Sequence, residues 1–451
     1  MLNSITSPLD GIRSPFGAIR NPFAAYAIGG QTPQTIADFE ADKYRANGAT
    51  STAASLLTHT RAGTATYTDN TGTLQTAASG ELRTDNHIWD GSSWVKRCLV
   101  EPQSTNLVTY SEDFTDASWT KTKANVAGTA QGPDGVSDSA TILSDDSSTG
   151  TGTVFIFDAI TTTVSTAYTY SLFAKADQLS WVRLQLGGFT ASGGTETAYF
   201  NLSDGTVGTV STANLTAKIE DFGDGWYRCC VSFTSNASAT SGSVVIVVAD
   251  ADGDVTVDLD GTSSILIYGA QFEASSVPTS YIPTAGATVT RPADALSIDS
   301  TLLPYDSTAM TIALDGEMTY ADDESNVNLV DWDAGTGQLN LFISTAGPST
   351  GLARVFQRGD GGSNISPLGS SGAQYTPGVN VSFSIASKHT PTSGQVANSG
   401  VAGTELTGTN LWPNLSATDF EIAPKGVVNI KSLRILGGYG ATDAELEAAT
   451  T

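Results

Sequence analysis

From about residue 36 onward the chain alternates apolar and polar residues with a period of two. Tyr168, Tyr170 and Leu172 share one face of a stretch reading AYTYSLFAKA, and Val182, Leu184 and Leu186 share one face of WVRLQLGG. Tyr227, Cys229, Val231 and Phe233 line a third such stretch, and Leu266, Tyr268, Ala270 and Phe272 a fourth. Gly, Asp, Ser and Thr clusters bound each run, which predicts antiparallel strands with one face on a core. Parallel βαβ units would instead read as continuous apolar runs with helices between them. The pattern resumes after residue 300 at Ile312 and Leu314, Leu339, Leu341 and Ile343, Val381, Phe383 and Ile385, and Leu433 and Ile435. The predicted fold is all-β, with tandem antiparallel β-sandwiches.

Punctuation divides the chain further. Pro8, Pro15, Pro22 and Pro33 mark residues 1–35 as an extended leader, because proline removes donors and biases its predecessor towards extended backbone. The stretch from Pro283 to Asp294, with Arg291-Pro292, predicts a boundary between two sandwiches. The expected divisions are the leader 1–35, a small β-rich domain 36–104, a jelly-roll 105–290 and a lectin-like sandwich 291–451. Asp38 to Arg45 is the one early stretch of helical composition. Asp90-Gly91, with Trp89 and Trp94 on either side, predicts a hairpin whose tryptophans pair across the strands. Thr442 with Glu445 three residues on is a capping box and predicts a short terminal helix.

Charge changes the picture of partners. The 451 residues carry a net charge of −25, but residues 1–100 balance to zero, while 101–300 carry −16 and 301–451 carry −9. So negative a field disfavours nucleic acid and anionic membrane as partners. No window reaches 18 apolar residues, so no helical membrane span is expected, and the start lacks the apolar stretch of a secretory signal. Three Cys, two of them adjacent, exclude a disulfide framework and suit synthesis in a reducing cytoplasm.

Several features are candidates for chemistry. In the leader, Arg13, Pro15 and Phe16 recur seven residues on as Arg20, Pro22 and Phe23, a pattern suited to docking because Arg and aromatic residues anchor interfaces. Asp250, Asp252 and Asp254 place alternate carboxylates on a turn, which could ligate calcium as a structural ion, although the EF-hand pattern fails at Gly261. Trp332, flanked by Asp331 and Asp333, and Trp412, between Asn410 and Asn414, combine an aromatic face with hydrogen-bonding neighbours as sugar sites do. His59, His87 and His389 lack metal-ligand spacing, no G-x-S-x-G or P-loop motif occurs, and among 46 acidic residues a carboxylate pair signifies nothing. The chain is therefore expected not to be an enzyme.

Specific blocks resemble a known family. Asp38-Phe39-Glu40 with Thr60-Arg61-Ala62-Gly63-Thr64-Ala65-Thr66-Tyr67 is similar to the opening of bacteriophage head-spike and tail-fibre proteins. So is Thr105-Asn106-Leu107-Val108-Thr109-Tyr110-Ser111-Glu112-Asp113-Phe114, followed by Ala117-Ser118-Trp119-Thr120-Lys121. Gly223-Asp224-Gly225-Trp226-Tyr227-Arg228, Tyr268-Gly269-Ala270-Gln271-Phe272-Glu273 and Thr279-Ser280-Tyr281-Ile282-Pro283-Thr284 complete the set, which spans roughly residues 36–294. The end of the chain resembles concanavalin/laminin-G-like domains, and the leader resembles the start of virion proteins from phages of marine alphaproteobacteria. The resemblance implies a jelly-roll like that of carbohydrate-binding modules, on a virion-surface spike or fibre. Its implied partners are other virion proteins, through the leader, and host surface polysaccharide. It implies a trimer as the common assembly, although no heptad stretch specifies one. The alternatives are a purely structural decoration or tail accessory protein that binds no sugar, and a capsule depolymerase.

Overall fold

A computed structural model describes residues 21–190, 195–360, 364–365 and 374–451. Every strand pairing in it is antiparallel, and the strands form two sandwiches. The middle sandwich packs two six-stranded sheets around one core. The first runs in the order Thr120–Thr122, Phe155–Thr161, Ser241–Ala249, Trp181–Gly187, Thr195–Asn201, Thr206–Val210. The second runs Ala124–Ala130, Ala140–Asp145, Ser264–Glu273, Ala167–Ala176, Trp226–Thr234, Thr216–Asp221. Tyr168, Tyr170, Leu172, Val182, Leu184, Leu186, Cys229, Val231 and Phe233 fill the space between them, as the period-two pattern predicts.

Strand Ser264–Glu273 departs from its expected face. Ile265, Ile267, Ala270 and Phe272 enter the core, whereas Leu266 and Tyr268 pack outside it against Phe173, Trp226 and Tyr281. The cause is a register shift against Ala167–Ala176 around Gly269, whose φ is +60°. One extra residue in a strand flips the faces beyond it, and glycine takes the left-handed backbone at little cost.

The C-terminal sandwich joins an eleven-stranded sheet to a seven-stranded one. Ile312, Leu314, Leu339, Leu341, Ile343, Phe383, Ile385, Leu433 and Ile435 all lie in its core. The terminal helix is Asp443–Ala449, and Glu445 accepts the Thr442 backbone N–H at 2.8 Å.

Residues 36–104 are not a separate domain. Thr35–Asp38 pairs with the C-terminal half of Val427–Gly437, and Trp94–Val100 pairs with the same strand's N-terminal half. Thr58–Thr60 adds to the other sheet through Ala295–Ile298. The hairpin Ala65–Thr68/Leu74–Ala77 goes to the other sandwich, where Leu74 joins Phe173, Trp226, Tyr268 and Tyr281. A 36–104 unit would have a small core of its own; distributed, its apolar residues complete two larger ones. The helical composition of Asp38 to Arg45 is likewise overridden. Asp38 accepts the Ala41 N–H at 2.8 Å, Asp42 turns left-handed at φ 53°, and Asp38 pairs with Lys43 across a hairpin.

The expected boundary near Asp294 carries a buried ionic cluster. Asp294 accepts from Arg61 at 2.7 Å, from His59 at 3.0 Å, from Arg83 and from the Glu101 backbone N–H at 3.0 Å. Glu101 pairs with Arg83 at 2.7 Å and with Arg291 at 3.6 Å, and it accepts both the N–H and the hydroxyl of Ser280 at 2.7 Å. Burial pushes the Asp294 carboxyl up, but His59, Arg83 and Arg61 outweigh it and hold the group well below the usual carboxylate range. Burial opposes Glu101 too, and Arg291 and Arg83 win there.

Removing one partner from such a cluster strands buried charge. Asp294→Ala is expected to lose about 3–5 kcal/mol in urea unfolding. Lys96→Ala, which breaks pairs with the exposed carboxylates of Asp42 and Asp85, is expected to stay within about 1 kcal/mol. Both cluster carboxyls titrate lower folded than unfolded. Their contribution is therefore complete well above pH 4 and is withdrawn as pH falls below about 4 towards the folded values. Unfolding midpoints measured across that range should fall steeply in the native chain and less steeply in Asp294→Ala.

Candidate functional site

Between the sandwiches lies a cleft of about 520 Å³. Hairpin Arg83–Trp89/Trp94–Val100 forms one wall, with Asn86, His87, Trp89, Trp94 and Leu99. The edge strand Thr216–Asp221 of the middle sandwich forms another, with Lys218 and Glu220, and residues 376–381 and Asn429 of the C-terminal sandwich close the third side. Such a volume is ordinary for a small-ligand site.

The hairpin follows from its sequence. Asp90 accepts N–H groups from Ser92 and Ser93 at 2.8 Å, and Gly91 takes φ +96°. Trp89 and Trp94 then fall opposite each other, their ring centroids 5.6 Å apart at 55°, as expected. Trp89 is 37% exposed, the one large aromatic among the exposed apolar side chains of the described residues. Trp94 is held from behind by two turns: a Cβ at Gly72 (φ +86°) would sit 2.6 Å from its ring, and Gly223 (φ +72°) lies alongside.

A chain of side-chain amides crosses the cleft. Asn86 accepts the Thr68 N–H at 3.1 Å and donates to Asn429 Oδ1 at 2.8 Å. Asn429 donates to Asn380 at 3.1 Å, and Asn380 donates to Glu220 at 3.3 Å. The relay joins the three walls of the cleft and ends on a carboxylate. Burial pushes the Glu220 carboxyl up, and Arg228, opposite it on the neighbouring strand, opposes that shift. Ring faces beside amide and carboxylate groups can hold a polar, ring-shaped molecule by stacking and by hydrogen bonds to its hydroxyls.

The residues singled out from sequence are elsewhere. Trp332 is fully buried, packs edge-on to Tyr305 and Phe420, and donates its indole N–H to Thr418 O at 2.7 Å. Trp412 packs on the same core and donates to Tyr305 Oη at 2.9 Å. Both serve the core of the C-terminal sandwich, so the expectation of a sugar site at these tryptophans is corrected. Asp250, Asp252 and Asp254 do not converge either. Asp252 turns to the Thr209 N–H at 2.7 Å, and Asp254 accepts from Thr256 at 2.8 Å. No group of three His, Cys, Asp or Glu suited to a metal occurs among the described residues. Asp252 and Asp254 are taken up by donors of the chain itself, and the structure does not bring the three carboxylates together as the calcium expectation requires. Arg13, Pro15, Phe16 and Arg20 lie outside the described residues. Phe23 is buried beside Tyr26 and beneath the Arg45 guanidinium, 5.5 Å from its ring, so it anchors the leader to this chain itself, while Pro22 is exposed.

Sequence reasoning passed over Asn86, Asn380, Asn429 and Glu220, which are separated by up to 343 positions along the chain. Only the paired tryptophans at an Asp-Gly turn signalled the place.

No protein family matches the chain, and no curated protein does. Among solved structures it is similar to the CBM40 of a Ruminococcus gnavus IT-sialidase bound to α2,6-sialyllactose. The identity is 15%, over 32% of this chain and 85% of that one, with a TM-score of 0.26. A likeness of that degree carries no functional inference.

Trp332→Ala is expected to lower stability by about 3–5 kcal/mol in denaturant unfolding, the range for emptying a buried aromatic site. A loss under about 1 kcal/mol would contradict its place in the core.

Proposed function

We propose that the chain is a non-enzymatic saccharide-binding adhesin, a head spike or tail fibre on a phage particle. The leader holds it to other virion proteins, and the cleft between the sandwiches takes polysaccharide of the host surface. The observation that carries the saccharide reading is the cleft itself: a tryptophan pair, three asparagines and a carboxylate brought together from its three walls. The particle reading rests on the sequence blocks quoted above. It places the protein on the virion surface after synthesis in the host cytoplasm, with a trimer as the assembly to test. The attachment element is the part of the leader before Asn21, because Phe23 is already committed to this chain.

The test is pull-down of the full chain on host cells with and without capsule. Binding should require the capsule and should fall roughly tenfold or more in Trp89→Ala, a change at an exposed position that leaves the fold intact by circular dichroism. Undiminished binding to bare cells, or by the variant, would contradict the reading. Binding to neither would favour the purely structural alternative, and new reducing ends in the capsule would favour the depolymerase.

A further inference from the structure

Five arginines are buried among the described residues: Arg61, Arg83, Arg97, Arg228 and Arg291. Four of them pair with a carboxylate within 4 Å. Arg228 does not. Its guanidinium, on a residue 5% exposed, donates to Thr279 O at 2.7 Å and to Ser171 Oγ at 3.0 Å, and it lies 5.4 Å from the Phe173 ring. Its hydrogen-bond partners are neutral, and among the described residues no carboxylate pairs with it within 4 Å, which is rare for a buried guanidinium. Arg228 also lines the cleft.

None of the other charged groups at the cleft forms an ion pair with Arg228. Glu101 is taken up by Arg83, Arg291 and Ser280. Asp221 accepts the Gly223 N–H at 2.7 Å. Glu220 faces Arg228 across the strands, but the two make no ion pair within 4 Å, and the Glu220 carboxylate accepts from Asn380 at 3.3 Å. His87 hydrogen-bonds the Asp85 carbonyl at 2.8 Å. Lys218, two residues before Glu220 on the same strand, is exposed and makes no ion pair among the described residues. Two cations thus face the cleft of a chain whose net charge is −25.

We propose that the cleft takes an anionic saccharide, whose carboxylate or sulfate group is received by Arg228 and Lys218 while its rings lie against the tryptophan pair. This rests on the saccharide reading above and narrows it to a substrate class. A guanidinium favours planar oxyanions through paired N–H donors, and an ammonium adds a point charge.

Titration calorimetry of the full chain with three probes tests it: an oligogalacturonate, its fully methyl-esterified form, and a sulfated carrageenan oligosaccharide of similar length. At least one anionic probe should bind about tenfold or more tighter than the ester, with a preference that shrinks as salt rises. Which anionic probe wins identifies the group. Lys218→Ala, an exposed change, should weaken the anionic probe severalfold and leave the ester unaffected; Arg228→Gln should do the same if it folds. Equal affinity for acid and ester overturns the anionic assignment and leaves the saccharide reading standing. Binding of none of the three overturns both for this cleft.

Discussion

Asp294 is the constraint on which the arrangement depends. A carboxylate offers about four lone-pair sites, and here all are used: Arg61 and His59 on one oxygen, Arg83 and the Glu101 N–H on the other. Its partners come from three separate stretches of the N-terminal segment. Glu101 carries the cluster on to Ser280, at the exit of the middle sandwich, and to Arg291. A buried carboxylate with four matched donors tolerates little displacement, since losing any one leaves a desolvated charge. The boundary that looks like a linker in sequence is therefore a fixed joint.

The cleft is a consequence of that joint. Because the N-terminal segment supplies strands to the C-terminal sandwich and a hairpin to the middle one, the two bodies are strapped together beside the ionic cluster. The tryptophan hairpin is part of the same strap. Its Asn86 starts the amide relay, and its neighbouring residues Arg83 and Glu101 belong to the cluster. One segment thus sets both the spacing of the sandwiches and the chemistry between them.

The sandwiches themselves were legible, because a period-two pattern reports directly which face is buried. Where it misled, at Leu266 and Tyr268, a bulge at Gly269 changed the face, and glycine in a strand was the visible hint. The integration of residues 36–104 was not legible, since nothing in a short strand names a partner some 400 positions away, as Thr35–Asp38 finds in Val427–Gly437. Trp332 misled for a related reason. Its acidic neighbours suggested exposure, yet strand alternation sends Trp332 inward and Asp331 and Asp333 outward. The cleft asparagines carry no local signal at all; their roles exist only once three segments meet.

Hydrogen exchange of the full chain, with and without a bound saccharide, addresses the central claim, that one cleft built by three segments holds the ligand. The account predicts added protection together in residues 86–94, 218–222 and 376–381. Protection confined to one sandwich, away from those three stretches, would contradict it.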